Sequence, residues 1–307
     1  MCQPSWQIAR HGLEGKHVTS VIAREGVILA GTTRGVFRSD DEGRTWQAAS
    51  RGLSQLHVRW MAYHPESSDF EFAGTEPAGI FISRDGAGSW QECREVPALR
   101  QLHGWFLPYS PAAGCVRGFA FHGSRAYAAV EVGGVLRSED GGALWSLAAG
   151  SSGSPDLDGP PAPFIYPDLH SLAVHPSSPD LVDAATGGGF YRSQDGGTTW
   201  RCLYDCYCRA AWTDPADAAH ILLGPADHVE TGGRIEESRD GGANWRPASS
   251  GLSVHWSSHM VERFVPLGAD LAAVLSNGEL LLASLDNLEW RPILPEIPAI
   301  RALTAMG

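Results

Sequence analysis

The chain has 307 residues, of which 43% are hydrophobic, so a sizeable apolar core can be buried. Lys and Arg number 23 against 35 Asp and Glu, and the formal net charge of −12 argues against general nucleic-acid binding, which requires net neutralisation of phosphates. No run approaches the roughly 18 apolar residues of a membrane-spanning helix, so we expect no membrane span.

The amino-terminal sequence and the cysteines bear on the compartment. The stretch MCQPSWQIARHG lacks the apolar segment of a secretory signal, so we expect a cytoplasmic protein. In a reducing compartment the cysteines are expected to be free thiols. There are six of them: Cys2, Cys93, Cys115, Cys202, Cys206 and Cys208.

The predicted strands repeat along the chain from its amino terminus. Residues 5–23 parallel residues 45–63, and each stretch predicts an outer strand followed by the inner strand of the next repeat. The second repeat continues with strands at 70–76, 79–84 and 90–94, which are short, rich in β-branched and aromatic residues, and bounded by turn residues. No segment has helical periodicity over three or more turns, so we predict an all-β chain.

One turn motif, Ser-x-Asp-x-Gly-x-x-Trp, recurs near the end of each repeat. The five good copies are SDDEGRTW (39–46), SRDGAGSW (83–90), SEDGGALW (138–145), SQDGGTTW (193–200) and SRDGGANW (238–245), and a sixth, SLDNLEW (284–290), is one residue short. Adjacent tryptophans lie 44, 55, 55, 45 and 45 residues apart, and the two long intervals contain extra loops. The underlying period of about 45 residues is that of one four-stranded propeller blade.

The repeat therefore predicts one domain over residues 1–307, a β-propeller with six blades of four antiparallel strands. The alternative is seven blades, with a reduced composite blade from both termini, because residues 299–307 also resemble an inner strand. Each turn motif is expected to join the third and fourth strands, with its Asp accepting amide hydrogen bonds and its Trp filling the layer between repeats. We assign this structural role to Asp41, Trp46, Asp85, Trp90, Asp140, Trp145, Asp195, Trp200, Asp240, Trp245, Asp286 and Trp290.

These turn motifs resemble the Asp boxes, or BNR repeats, of sialidases, of sortilin-like receptors and of photosystem II assembly propellers. The resemblance covers nearly the whole chain and implies the propeller fold, but the motif occurs in enzymes and in non-enzymes. In sialidases the active site lies on the face opposite the Asp boxes. The resemblance thus directs attention to the turns between the second and third strands and to the connections between blades.

Two long insertions, near 96–114 and 151–168, are predicted to be connections between blades on that second face. Loops on a rigid scaffold often carry binding residues. Trp105 and Tyr166 are therefore candidates for ligand binding, although such aromatic residues can also simply pack the loops onto the propeller.

Alignment of the inner strands gives the main site hypothesis. One matched position near the start of each strand holds Thr19, Arg59, Arg117, His170, Arg209, Glu262 and Arg301. Because inner strands line the central channel, these side chains are expected to meet at one axial pocket. Arginine suits planar anions, since its donors form a rigid fork.

The alternative for the arginines is pairing with acidic residues of neighbouring blades, which would simply order the ring. The partners near enough in the repeat are Glu76, Glu131, Asp168, Asp227 and Glu230.

An enzyme is the second functional hypothesis. The sialidase resemblance implies an arginine triad, a Tyr–Glu nucleophile pair and an acidic Asp, but the Arg-Ile-Pro signature is absent near the amino terminus. Glycoside hydrolases of this fold use two carboxylates. The catalytic candidates, all weakly supported, are Asp168, Glu262, Asp227 and Tyr207.

No metal and no cofactor is predicted. The stretch CLYDCYC (202–208) could supply thiolates, but it lacks zinc-ribbon spacing. We therefore predict a binding propeller whose arginine-lined pocket takes a small anionic, carboxylate-bearing ligand or carbohydrate, or which holds a protein client. A sialidase-like glycoside hydrolase or lyase is the alternative.

Overall fold

The structure, a computed structural model, describes residues 6–67, 69–110, 113–158, 163–297 and 299–305. These residues form twenty-four strands, β1 to β24, and one helix, α1. The strands group into six sheets of four, each sheet made of consecutive antiparallel strands. The protein is a six-bladed β-propeller with very little helix, as the repeat predicted. Cys2 lies outside the described residues.

Each blade runs from an inner strand to a short outer strand. Blades one and two comprise β1 (Val18–Arg24), β2 (Val27–Thr32), β3 (Gly35–Ser39) and β4 (Gln47–Ala48), then β5 (Val58–Tyr63), β6 (Glu71–Thr75), β7 (Ile80–Ser83) and β8 (Gln91–Glu92). Blades three and four comprise β9 (Cys115–His122), β10 (Arg125–Glu131), β11 (Gly134–Ser138) and β12 (Ser146–Leu147), then β13 (Leu169–Val174), β14 (Val182–Thr186), β15 (Gly189–Ser193) and β16 (Arg201–Tyr204). Blades five and six comprise β17 (Tyr207–Asp214), β18 (Asp217–Ala226), β19 (Glu236–Ser238) and β20 (Arg246–Pro247), then β21 (Val261–Leu267), β22 (Asp270–Leu275), β23 (Leu280–Ser284) and β24 (Arg291–Ile293).

The turns between third and fourth strands, which we call the Ser-x-Asp turns, share one hydrogen-bond pattern in blades one to five. In blade four the Ser193 hydroxyl donates to Asp195 Oδ1 at 2.8 Å and accepts from the Gly197 amide at 2.8 Å, while Asp195 Oδ1 accepts from the Thr199 amide at 2.8 Å. In the shortened sixth turn, the carboxylate of Asp286 accepts no such bond from the described residues, and only its amide reaches the Ser284 hydroxyl.

The hydrophobic core lies between the blades. The turn tryptophans of blades two, three, four and six are buried, with Trp290 only 2% exposed, whereas Trp46 and Trp245 are half-buried. The indole of Trp90 donates to the Ala49 carbonyl of the preceding blade at 2.8 Å, and Trp290 repeats this with Ala248 at 2.9 Å. Each such tryptophan thus joins its blade to the previous one.

One element departs from the sequence-based expectation. Residues Glu95–His103, inside the first insertion, form the helix α1, although no helix was predicted. Nine residues are too few for a clear helical period. The helix tolerates Pro97 in its first turn and ends at Gly104, which adopts the left-handed conformation with φ 66°. Val96 and Leu99 pack it onto the core between blades two and three.

The termini form no strands in the described ranges 6–17 and 299–305, so neither end completes a sheet of another blade. The inner strand expected at 299–307 is therefore absent in the described residues 299–305, where Ala299 has a positive φ of 56°. Residue 5 of the predicted segment 5–23, and residues 306 and 307 of the predicted segment 299–307, lie outside the described residues. Within the described part of the chain, no helix is long and apolar enough to cross a membrane.

Candidate functional site

A cavity of about 490 Å³ opens where the inner strands begin. It is lined by the starts of inner strands, by Thr33 in the turn between β2 and β3, and by Tyr109 from the first insertion. This is the face that the family resemblance implied, opposite the Ser-x-Asp turns. Tyr109 is 62% exposed and stands at its rim.

The aligned inner-strand position turns out to be a β-bulge. The register with the second strand shifts at Thr19, Arg59 and Arg117, and equally at His170, Arg209 and Glu262. A bulge leaves one residue unpaired and re-aims its side chain. The repeated bulge explains why these six side chains are directed differently from the rest of their strands.

The bulge residues meet at the cavity as predicted for Thr19, Arg59, Arg117, Arg209 and Glu262, and Arg301 reaches the same cavity from the carboxy-terminal segment. His170 is 3% exposed and lies behind this lining. The Thr19 hydroxyl does not face the cavity freely, since its single proton lies between two acceptors, the Gly31 carbonyl at 3.0 Å and the Val58 carbonyl at 2.5 Å.

Three of the arginines pair with glutamates of the ring. Arg59 lies 2.9 Å from Glu76, and Arg117 lies 3.4 Å from Glu131 and 3.5 Å from Glu262. Arg209 contacts Glu262 closely and lies 3.7 Å from Glu230. Burial opposes the charge of Arg117, but Glu131 and Glu262 outweigh it and raise the pKa of Arg117. These three side chains are thus paired as the alternative expected, but mostly with glutamates of their own blades, and of these contacts only those to Glu262 cross from one blade to another.

A second network lies behind Arg117. Its guanidinium donates to His170 Nδ1 at 3.0 Å, so the ring carries its proton on Nε2, 3.3 Å from Asp168 Oδ2. Burial alone would raise the pKa of Asp168, yet His170, Arg117 and Arg209 together outweigh burial and hold this pKa below the ordinary value. His170 is thereby fixed between a cation and a carboxylate.

The same network contains the best metal-ligand geometry among the described residues. Ligand atoms of Glu131, Asp168 and His170 lie within 4.8 Å of one another. Arg117, however, places a permanent positive charge 3.4 Å from Glu131 and 3.0 Å from the ring of His170. A bound cation would be repelled by that charge, so these residues fit an ion-pair network better than a metal site.

Arg263, which the sequence alignment did not single out, differs from Arg59, Arg117 and Arg209, the cavity arginines that pair with glutamates. It follows the bulge of blade six, and its guanidinium stacks on Trp60 of blade two at 4.5 Å. Among the described residues no acidic group lies within 4.0 Å of it, and its buried Nε has no hydrogen-bond partner. Burial and the nearby Arg117 lower the pKa of Arg263 to about 10.

Small residues make room for this pair. The equivalent positions, one step along from the bulge, hold Ser20, Gly118, Ser171 and Ala210 in the other four blades. Only Trp60 and Arg263 are large at this level. The sequence signal was a single large aromatic and a single large cation in a column of otherwise small residues.

The remaining sequence candidates do not line the central cavity, although the Tyr207 hydroxyl accepts a hydrogen bond from Nε of the cavity residue Arg209 at 3.3 Å. Trp105 is 2% exposed and donates to the Gly153 carbonyl at 2.9 Å, so it ties the two insertions to each other. The Tyr166 hydroxyl donates to Leu157 within the second insertion at 2.8 Å. Tyr207 and Asp227 line a separate cleft between blades four and five, where Asp227 lies 2.9 Å from Arg234 rather than from a ring arginine.

Comparison with known proteins places the fold. No protein-family model matches the chain, and no curated protein matches it. An ancestral GH74 enzyme is similar over 94% of this chain and 40% of its own, with a TM-score of 0.69 and 18% identity. The GH74 xyloglucanase from Xanthomonas campestris is similar over 92% and 46%, with a TM-score of 0.65 and 17% identity. YCF48 from Cyanidioschyzon merolae is similar over 85% and 80%, with a TM-score of 0.56 and 15% identity.

The chain spans less than half the length of the two GH74 enzymes. At these identities the likeness establishes the fold alone. The chain is a β-propeller whose structural neighbours include both glycoside hydrolases and YCF48.

Proposed function

We propose that the protein is a binding propeller whose central cavity takes a small anion bearing a carboxylate. The observation that carries this proposal is Arg263, the cavity arginine whose buried Nε has no partner among the described residues. A buried charge without a partner destabilises a fold, and such a group is retained at a cost unless something else pairs with it. A ligand carboxylate would supply both the charge and the acceptors.

The paired arginines have a different role from Arg263 in this proposal, because they keep the wall of the cavity in place. Arg117 and Arg209 share Glu262, which ties blades three and five to blade six across the channel. These ion pairs hold the cavity wall in one arrangement before the ligand arrives, and a pre-formed site loses less entropy on binding.

The carboxylates of the cavity favour binding over hydrolysis. A glycosidase of the two-carboxylate type needs an acid whose pKa is raised. Burial works to raise the pKa values of Glu131 and Glu262, but Arg117 together with His170, and for Glu262 also Arg209, outweighs burial, and both pKa values lie below the ordinary value. Neither group holds a proton ready for a leaving group near neutral pH.

We also propose that the Ser-x-Asp turns are Asp boxes of the BNR class. The support is the bonding pattern in blades one to five, where one Asp oxygen accepts from the Ser hydroxyl and from a turn amide.

The test is binding of a panel of uronic acids, dicarboxylates and neutral oligosaccharides, measured by calorimetry. We expect an acidic member to bind wild type and Arg201→Met, a change at an exposed arginine of β16, and binding to be lost in Arg263→Met. Loss of one charged pairing predicts a decrease in affinity of at least about tenfold. Equal binding by Arg263→Met, or binding confined to the neutral sugars, would contradict the proposal.

A further inference from the structure

The turn between the second and third strands of blade five is longer than the equivalent turns of the other blades. It occupies residues 227–235 and lies on the face where the central cavity opens. The other five turns occupy 33–34, 76–79, 132–133, 187–188 and 276–279. The extra length brings Glu230 to the central cavity, where its side chain forms part of the lining.

This turn is held in place by contacts on both sides. Within the turn, Arg234 Nη1 donates to Asp227 at 2.9 Å and to the Gly232 carbonyl at 3.0 Å. On the side of blade four, Arg234 Nη2 donates to the Tyr204 hydroxyl at 3.2 Å. On the side of blade six, the Gly232 amide donates to the Trp256 carbonyl at 2.7 Å. The tip of the turn is therefore fixed relative to the cavity.

Glu230 lies at the tip and has an unfavourable backbone conformation for its residue type. Its φ of 56° is in the left-handed region, which glycine adopts more easily. The side chain is 51% exposed, so the packing of the core does not account for it. Backbone strain of this kind is often found where a side chain serves a site.

The carboxylate of Glu230 is poorly matched by the protein itself. Other glutamates already pair with Arg59, Arg117 and Arg209. Among the described residues the one cation within 4.0 Å of Glu230 is Arg209, at 3.7 Å, and Arg209 already contacts Glu262 closely. The Glu230 carboxylate accepts no hydrogen bond from the described part of the chain.

The cavity thus has one poorly matched charge of each sign, Glu230 and Arg263. In the described residues Arg263 has no acidic group within 4.0 Å, and its buried Nε has no partner. The fold does not bring these two side chains within ion-pair distance of each other. Arg301 also lines the cavity, but it is exposed, so water solvates its charge. A molecule with both an anionic and a cationic group can pair with Arg263 and Glu230 together.

An ammonium group fits Glu230 better than a metal ion does. A calcium ion takes six to eight oxygen ligands, whereas Glu230 supplies one carboxylate with Arg209 beside it. An ammonium group needs no such coordination shell and keeps contact with water at the half-exposed mouth of the cavity. The apolar part of the lining, which includes Trp60, Val274 and Ile300, suits a carbon chain between two charged groups.

We propose that the ligand of the central cavity is an aminocarboxylic acid, whose carboxylate binds Arg263 and whose ammonium group binds Glu230. This inference rests on the proposed function, since it takes the carboxylate-bearing anion of that proposal and adds a cationic group. Arginine holds a carboxylate through its fork of N–H donors, and opposite charges attract more strongly where water is partly excluded. The carbon chain of the ligand must span the separation between Arg263 and Glu230.

The probes are two matched series of unbranched acids. One series runs from glycine through β-alanine, γ-aminobutyrate and δ-aminovalerate to ε-aminocaproate. The other contains the same acids without the amino group, from acetate to caproate. Calorimetry at neutral pH measures the Kd of each. We expect one chain length at which the amino acid binds wild type at least about tenfold more tightly than its matched acid.

Variants assign the two charged groups of the ligand. Glu230→Gln should remove the preference for the amino acid and leave the affinity of the matched acid unchanged, because only the ammonium group loses its partner. Arg263→Met should weaken both series at least about tenfold. Glu66→Gln, at an exposed glutamate in the turn between β5 and β6, is the matched control and should bind as wild type does. Melting temperatures show that each variant is folded.

The outcomes separate this inference from the proposed function. If the matched acids bind wild type equally at every length and Arg263→Met removes that binding, the inference is wrong and the proposed function stands. If neither series binds and no acid of the earlier panel binds, both are wrong. A preference for the amino acid that persists in Glu230→Gln would also overturn the inference, since the ammonium group would then bind elsewhere.

Discussion

At the residue scale, Arg263 is the side chain whose surroundings fit its charge least. Three other cavity arginines have glutamates within 4.0 Å, whereas Arg263 has stacking on Trp60 and a pKa lowered to about 10, chiefly by burial. Below about pH 10 the side chain is charged in both the folded and the unfolded chain. In that range its charge therefore destabilises the folded state relative to the unfolded state. Such a residue is more easily explained by a bound anion than by stability.

We expect Arg263→Met to stabilise the unliganded protein while it removes anion binding. The lowered pKa of Arg263 corresponds to a penalty of the order of 3 kcal/mol, from which the lost stacking on Trp60 subtracts, leaving a gain of about 1–2 kcal/mol. Calorimetric melting at neutral pH measures this gain, with Arg201→Met as the matched control. A melting temperature below wild type would show that Arg263 serves the fold instead.

At the scale of the element, the Ser-x-Asp turns and the bulges have separate roles. The turns fix the outer end of each blade through bonds to one carboxylate, and the bulges aim one side chain per inner strand at the channel. The sixth turn contains no glycine and is one residue shorter than the others, and its carboxylate accepts no bond from the described residues. Replacement of the turn Asp by Ala should therefore change the free energy of unfolding more in blades one to five than in blade six.

We expect Asp195→Ala to destabilise the protein by about 1–2 kcal/mol, because the amide of Thr199 and two hydroxyls lose their acceptor. Asp286→Ala is the matched control and should change the free energy of unfolding by less than about 0.5 kcal/mol. Urea unfolding of both variants gives the comparison. Equal effects would mean that the bonds of the turn contribute little.

At the scale of the whole molecule, the acidic groups link stability to pH. The pKa values of Asp41 and Asp240 are lowered to about 2, first by bonds from Thr45 and from Asn244 respectively, and those of Glu131 and Glu262 are lowered by Arg117 against the effect of burial. A lowered carboxyl pKa adds stability above the unfolded value, and this stability is lost as the pH falls through the folded value. Glu71 acts in the opposite sense, since burial raises its pKa.

We therefore expect the free energy of unfolding to decrease modestly as the pH falls below about 6.5, because burial lowers the pKa values of His57, His64 and His259, and to decrease further between about pH 4 and pH 2. Denaturant titrations at a series of pH values measure this directly. Stability that rises on acidification below about pH 4 would show that raised pKa values such as that of Glu71 dominate.

The order of the blades could be predicted from the sequence because each repeat contains its own strand and turn motifs. Short β-branched runs, turn residues and a tryptophan every 45 or 55 residues specify one blade at a time, and stacking identical units leaves few alternatives. Alignment of the repeats also predicted the ring of Arg59, Arg117 and Arg209, since equivalent residues of a propeller share one radius. Helix α1 was missed because one short helix inside an insertion repeats nothing.

What the sequence by itself determined is thus the repeat, the six blades and most of the bulge side chains at the channel, but not Trp60 or Arg263. Only the tertiary structure decided which of those charges are paired, because Glu262 lies in blade six and the arginines that it neutralises, Arg117 and Arg209, lie in blades three and five. It likewise placed Arg263 over Trp60. Pairing and stacking depend on distances between residues far apart in the chain, and a local pattern does not encode those distances.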